Sequence, residues 1–145
     1  MATGRRVVKT LEVPSCAESL SEVVLATGTV AAELRLDEAE GEELAIAVTE
    51  AVNNAIHHGN GGVRHKPVLI RFEVEGQHLS VRVCDRGAGF DPASVPDPLL
   101  EENMLNPSGR GLLVMQSMMD KVWFQFSEDG TEVMLLKRLS RLPSG

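Results

Sequence analysis

The first third of the chain changes from a two-residue to a helical hydrophobic repeat. Residues 7–13 place alternate side chains on one face, which predicts a short β-strand that the following proline closes. Ser15 and Glu18 then have the Ser-x-x-Glu spacing of a capping box, so a helix is expected to begin there. Apolar residues recur at helical spacing from that point to Leu34, which predicts an amphipathic helix.

A second helix is predicted from about Glu38 to His58. Asp37 and Glu40 offer a capped start for this helix, and Gly59 is a natural stop. Its buried stripe is predicted to consist of Leu44, Val48, Ala51, Val52 and Ala55.

The remaining pattern predicts two β-hairpins and a third helix. Residues 68–74 and 79–83 alternate around a Glu-Gly-Gln turn, and residues 122–126 and 131–136 flank an Asp-Gly turn. The third helix is predicted over residues 109–120. Two or three helices against one mixed, mostly antiparallel sheet make an α+β fold, a two-layer α/β sandwich.

Composition and charge narrow the classes of protein. A chain of 145 residues fits a single domain, 1–145, that needs no disulfide or metal to fold. The formal net charge of −7 argues against direct binding to nucleic acid, which needs a clustered basic surface. Cys16 and Cys84 show no metal-ligand spacing and are interpreted as reduced cytosolic thiols. Because we find neither a signal peptide nor an apolar run of roughly 20 residues, we expect a cytoplasmic protein without a membrane segment.

Four polar residues share one face of the second predicted helix: Glu50, Asn53, Asn54 and His57. Such a face is usually solvated, but adjacent asparagines are unusual there because asparagine is a poor helix former. An amide oxygen can bind a hard cation such as Mg²⁺, and a carboxylate one turn away can accept a proton. Asn54 as metal ligand and Glu50 as general base therefore form a coherent alternative. His57 and His58 point about 100° apart, which favours a non-metal role for both.

Two glycine-rich segments carry further candidate chemistry. Residues 85–89, Asp-Arg-Gly-Ala-Gly, follow a strand, and Asp85 offers an acceptor to an exocyclic amino group where glycines allow close approach. Residues 108–111, Ser-Gly-Arg-Gly, open the third helix, whose N terminus and Arg110 attract phosphate. Each segment also has an ordinary interpretation, as an Asp-Gly turn and as a helix N-cap. Residues 90–108 lack a clear period, and a loop of that length is typical of a functional lid.

In this order, three segments resemble the GHKL ATPase superfamily, which includes DNA gyrase, the MutL repair proteins and histidine kinases. They are Glu-Ala-Val-Asn-Asn-Ala-Ile-His-His-Gly at 50–59, Asp-Arg-Gly-Ala-Gly-Phe at 85–90 and Gly-Arg-Gly-Leu at 109–112. The chain is most similar to the anti-sigma-factor serine kinases of the RsbW and SpoIIAB type, over residues 15–137. The resemblance implies the Bergerat fold, with a nucleotide held between helices and sheet under a lid at about 91–110.

The resemblance also implies roles for individual residues. Glu50 matches the catalytic base, Asn54 the ligand of Mg²⁺, and Asp85 the carboxylate that binds adenine. Asn53 matches a variable position, and residues 97–107 have no match. The other residues implied to contact ATP or to support its site are His58, Gly87, Gly89, Gly109, Arg110, Gly111 and Thr131.

The implied activity is transfer of phosphate from Mg-ATP to a serine of a small anti-anti-sigma (STAS-type) protein. The resemblance further implies that the chain sequesters a sigma factor or similar regulator, as a homodimer in many relatives. Three alternatives stay open: the detached ATPase domain of a histidine kinase, a module that binds nucleotide and partner without catalysis, and an ATPase without a protein substrate.

Overall fold

The computed structural model describes residues 4–86, 110–127 and 130–140. The lid predicted over about 91–110 therefore lies almost wholly outside the described residues, as do Gly87, Gly89 and Gly109. Of Arg110 only the backbone is described, as the first residue of a helix.

The described strands are β1 (Arg6–Pro14), β2 (Pro67–Glu75), β3 (His78–Cys84), β4 (Lys121–Ser127) and β5 (Gly130–Arg138). They form one sheet in the order β1-β2-β3-β5-β4, and each pair of neighbours is antiparallel. These segments become strands because alternate apolar side chains can enter a common core. Both predicted hairpins are confirmed, β2 with β3 and β4 with β5.

The described helices are α1 (Ser19–Glu33), α2 (Glu38–Asn54) and α3 (Arg110–Met118). α2 contacts both α1 and α3, and the helices pack on one face of the sheet. Apolar side chains from both layers are withdrawn from water between them, which drives the packing. The largest of these side chains are Leu34, Leu44, Ile56, Ile70, Phe72, Leu79, Met115 and Leu135. The predicted α+β two-layer sandwich is confirmed.

The start and the extent of α2 follow the sequence pattern. The Glu40 amide donates to Asp37 Oδ1 at 2.8 Å, and the Asp37 amide donates to Glu40 Oε1 at 3.1 Å, so the predicted cap is confirmed. After Asn54 the helix continues as one π-helical turn, Ala55–Gly59. Such turns widen a helix locally and are frequent at functional sites. Within the described part of the chain, no helix is long and apolar enough to cross a membrane.

The capping box predicted at Ser15 and Glu18 is wrong. α1 begins immediately after Glu18, and no side-chain cap bond forms at that end. The buried Ser15 hydroxyl donates to the carbonyl oxygen of Lys66 at 2.6 Å instead, and thereby joins the end of β1 to the start of β2. The Ser19 hydroxyl likewise donates back to the Pro14 carbonyl at 2.7 Å. Both hydroxyls therefore bond to backbone groups at strand ends rather than to the first turn of the helix.

Candidate active site

The last two turns of α2 bring Glu50 and Asn54 into direct contact. Asn54 Nδ2 donates to the Glu50 backbone oxygen at 3.0 Å and to Glu50 Oε2 at 3.2 Å. A spacing of four residues on an α-helix produces this contact. Because the amide nitrogen is turned toward Glu50, the amide oxygen points away from that carboxylate. The pair therefore presents a carboxylate and an amide oxygen, which are respectively a proton acceptor and a ligand for a hard cation.

The burial of this pair argues against the ordinary interpretation of this polar face as a solvated one. Asn54 is only 5% exposed and Glu50 is half-buried, whereas His57 and His58 are exposed. α2 packs against two helices and the sheet, so only part of its polar side remains open. A buried amide is costly unless it is hydrogen-bonded, and the Glu50 contacts meet part of that need. The structure thus gathers Glu50 and Asn54 and leaves the predicted His58 side chain at the surface.

Asp85 lies directly after β3 and is bound to the start of β5. Its backbone amide donates to the Thr131 oxygen at 3.0 Å, and the Thr131 amide donates to Asp85 Oδ1 at 3.1 Å. Asp85 as a whole is 8% exposed. The structure therefore brings together Asp85 and Thr131, two residues that the sequence predicts for the same hydrogen-bond network.

Two glycines leave room for the Asp85 side chain. A Cβ at Gly59 would collide with the Asp85 carboxylate and would lie 2.8 Å from Asp85 Cβ. A Cβ at Gly130 would collide with the Asp85 backbone oxygen and lie 2.9 Å from its Oδ1, and the φ of +143° also favours glycine. The π-helical turn that extends α2, called the end of α2 from here on, is thereby placed against the end of β3. Glycine is needed at position 59 because the Asp85 side chain lies too close for a Cβ there. The prediction of Gly59 as a helix stop gives a different reason for the same residue.

Asn60 is a buried residue beside Asp85 whose contacts the sequence does not reveal. It is 2% exposed, and its Oδ1 accepts a hydrogen bond from the Arg86 amide at 2.8 Å. Asparagine beside two glycines is an ordinary turn signature, so the pattern predicts only a loop. No local signal could identify Arg86 as its partner, because Arg86 lies 26 positions farther along the chain.

Of the predicted phosphate-binding residues, Arg110 and Gly111 are the first two residues of α3. Gly111 is buried, and α3 packs against α2. The N terminus of a helix is expected at this position, and the structure places one there. The N terminus of a helix attracts anions through its backbone N–H groups and its partial positive charge.

The cysteine next to Asp85 is poorly suited to act as a nucleophile. Burial, as the larger cause, and the hydrogen bond that the thiol donates to Glu132 Oε2 at 3.3 Å together raise the pKa of Cys84 to about 12. The thiol is therefore protonated near neutral pH. It contributes a weak donor to the open face of the sheet.

Comparison with known proteins supports the resemblance seen in the sequence. The model of the family described as "Histidine kinase-like ATPase domain" matches residues 13–137. The serine-protein kinase RsbW of Bacillus subtilis is 32% identical over 136 residues, which cover 90% of this chain and 84% of the relative. RsbW of Listeria innocua is 27% identical over 140 residues, which cover 90% and 87%. The prediction of a GHKL-type, RsbW-like chain is thereby confirmed.

Solved structures show the same fold. The RsbU and RsbW domains of a Mycobacterium tuberculosis protein align with a TM-score of 0.68 at 20% identity, over 92% of this chain and 33% of that one. A chain of the SiaB–SiaC complex of Pseudomonas aeruginosa aligns with a TM-score of 0.63 at 14% identity, over 90% of this chain and 89% of that one.

Proposed function

The chain belongs to the histidine kinase-like ATPase domain family, and we propose that it is a protein kinase that transfers phosphate from Mg-ATP to a serine of a small anti-anti-sigma protein. The observation that carries this proposal is the contact between the side chains of Glu50 and Asn54. It lies on the same helix whose end, at Gly59, packs against Asp85. Relatives of similar length are named serine-protein kinases, which supports serine as the acceptor.

We assign the adenine end and the phosphate end of the nucleotide to different groups of residues. Asp85 would accept a hydrogen bond from the amino group of adenine, and the first turn of α3 would face the phosphates. Asn54 would hold Mg²⁺ through its amide oxygen, since magnesium is usually bound by few protein oxygens together with phosphates and water. When bound, the metal would neutralise charge on the phosphates.

Glu50 is assigned as the general base. Its Oε2 is held by Asn54 at 3.2 Å, and we assign its Oε1 to the proton of the acceptor serine. As the serine oxygen bonds to the γ-phosphorus, the bond from phosphorus to the β,γ-bridging oxygen breaks. The proton passes to Glu50, and ADP leaves with the electron pair of the broken bond.

A groove beside Glu50 supports a protein rather than a small molecule as the acceptor. The groove lies between α1 and α2 and has a volume of about 520 Å³. Val24 and Ile46 line it and are 45% and 46% exposed, so the groove offers apolar surface to a partner. Its lining residues are Leu20, Val24, Ala45, Ile46, Thr49, Glu50 and Asn53. A serine-bearing segment seated here would lie against Glu50, which lines the groove.

The test is transfer of labelled phosphate from Mg-ATP to the anti-anti-sigma-type domain of the same organism. Glu50→Gln should bind ATP normally and lose transfer by at least about 100-fold, the usual effect of removing a general base. Glu42→Gln, which neutralises an exposed acid of the same helix, is the control and should transfer at the wild-type rate.

Each part of the proposal can fail separately. Full transfer by Glu50→Gln would remove the base assignment. Wild-type protein that binds ATP but labels no partner would be a binding module, and protein that ignores ATP would refute the nucleotide site. The proposed second activity, sequestration of a sigma factor by a homodimer, is tested by co-elution with the sigma factor and by light scattering.

A further inference from the structure

We propose that Asn60 is a positioning residue for the purine end of the site: it fixes the main chain directly after Asp85 and thereby sets the direction of the Asp85 carboxylate. This inference rests on the proposed nucleotide site. It assigns no contact between Asn60 and the nucleotide. It concerns a residue outside the three segments that carry the family resemblance.

The Asn60 amide connects three separate parts of the chain. Its Nδ2 lies 2.9 Å from Ser15 Oγ and 3.1 Å from the carbonyl oxygens of both Lys66 and Pro67. Its Oδ1 accepts the hydrogen bond from the Arg86 amide at 2.8 Å. Nitrogen and oxygen therefore serve different purposes, because the nitrogen ties strand ends together and the oxygen holds the segment that follows β3.

The bond to Arg86 completes the restraint on Asp85. The pairing of β3 with β5 ends at Cys84, and the Asp85 amide is held beyond it by the Thr131 oxygen at 3.0 Å. The next amide, that of Arg86, is held by Asn60 at 2.8 Å. With the amides on both sides of its α-carbon held, Asp85 has little backbone freedom left. Its carboxylate is thereby kept in the space between Gly59 and Gly130.

Only an amide of this length meets all these needs. Aspartate can accept the Arg86 bond but would turn a carboxylate oxygen toward two carbonyl oxygens. Serine has one donor and a shorter reach, and glutamine is longer by one methylene. These differences allow the two halves of the amide to be tested separately.

The experiment compares Asn60→Ala, Asn60→Asp and Ser15→Ala with wild type. Titration calorimetry with Mg-ATP and Mg-GTP, well below each melting temperature, reports affinity and preference for adenine. We expect Asn60→Ala to lose at least about tenfold in ATP affinity and several-fold in the ratio of ATP to GTP affinity. Ser15→Ala removes a partner of the nitrogen only, so it should lower the melting temperature and leave the affinity ratio within about twofold.

Hydrogen exchange of the nucleotide-free protein tests the restraint itself. Asn60→Ala should expose the Arg86 amide to exchange, while Ser15→Ala should leave it protected. Asn60→Asp keeps the acceptor, so it should retain the preference for ATP even if it melts earlier. If Asn60→Ala does not fold, Asn60→Asp decides the matter.

Two results would overturn the inference. One is Asn60→Ala with reduced stability but wild-type affinity ratio and exchange, which would make the residue merely structural. The other is Asn60→Asp with its ATP preference lost. A wild-type protein that ignores ATP would refute the proposed function as well, and is recognised without any variant.

Discussion

A methyl group at position 59 would occupy the space that the Asp85 carboxylate now fills. The Cβ of Gly59→Ala would collide with the carboxylate and lie 2.8 Å from Asp85 Cβ, an atom that side-chain rotation cannot move. Rotation of χ1 would therefore relieve only part of the overlap, and the rest requires the end of α2 to move away from the end of β3. We expect Gly59→Ala to damage both the stability of the fold and the proposed purine site.

The size of the effect follows from the contacts that change. Overpacking a closely packed site costs about 1–3 kcal/mol. The hydrogen bond from the Thr131 amide to Asp85 Oδ1, now 3.1 Å, would be lost or weakened, and bonds to charged groups contribute about 1.5–3 kcal/mol. Alanine recovers about 0.5–1 kcal/mol over glycine in a helical backbone. The free energy of unfolding should therefore fall by about 1.5–5.5 kcal/mol.

Gly28→Ala is the matched control for this substitution. Gly28 lies inside α1, and a Cβ built there meets no atom within 4 Å among the described residues. The same chemical change should therefore raise the free energy of unfolding by about 0.5–1 kcal/mol. Opposite signs at the two positions would separate the collision with Asp85 from any general effect of replacing glycine.

Urea unfolding measures the first quantity, and calorimetry with Mg-ATP measures the second. Gly59→Ala should bind ATP at least about tenfold more weakly, because the displaced carboxylate no longer faces the adenine. If Gly59→Ala unfolds within 0.5 kcal/mol of wild type and binds ATP with unchanged affinity, Asp85 does not lie against position 59 and the geometry of the purine site is wrong.

Three further predictions probe the metal ligand, the groove and the buried thiol. Asn54→Ala should weaken ATP binding in the presence of Mg²⁺ and change it little in EDTA; equal losses in both titrations would contradict the ligand assignment. Ile46→Asp should raise the KM for the partner domain at least about tenfold without changing ATP affinity, because a charge opposes apolar docking. Leu25→Asp, an exposed change on α1 that does not line the groove, is its control, and equal effects would exclude the groove. Because the folded pKa of Cys84 is raised to about 12 from 9.0, the stability gained from the neutral thiol should be complete below pH 9 and lost as the pH approaches 12. Cys84→Ser should flatten that alkaline loss, and iodoacetamide at pH 8 should modify native Cys84 far more slowly than the unfolded chain.

The helices and strands of the fold follow from local periodicity. The two predicted capping boxes, however, differ, because only one of them forms. Asp37 and Glu40 form the predicted capping box, whereas Ser15 and Glu18 do not. The difference is tertiary, because the Ser15 hydroxyl finds the Lys66 oxygen 51 positions away. Local spacing cannot reveal such a competitor. In this chain the capping box forms where the cap residue is exposed, at Asp37, and does not form where it is buried, at Ser15.

The candidate site likewise contains contacts that local spacing predicts and contacts that only tertiary packing produces. Glu50 and Asn54 contact each other because α-helical geometry places side chains four positions apart together, so their pairing is predictable. Gly59 and Asn60 act through Asp85 and Arg86, 26 positions farther along the chain in each case. In the sequence, Gly59 and Asn60 are sufficiently explained as turn-forming residues. The sequence offers no reason to expect that they also make tertiary contacts with Asp85 and Arg86.

The difference between local and tertiary contacts predicts which substitutions should change only the chemistry and which should also change stability. The pair on α2 takes its geometry from a regular helix, so changes at Glu50 should alter chemistry while the fold stays intact. The purine end takes its geometry from contacts between the ends of α2, β3 and β5, and those contacts also hold the layers together. Changes at Gly59 should therefore reduce stability and nucleotide affinity in proportion, since both depend on the same packing. A Gly59 variant that lost one quantity and kept the other would show that the Asp85 carboxylate and the helix end are not mechanically coupled.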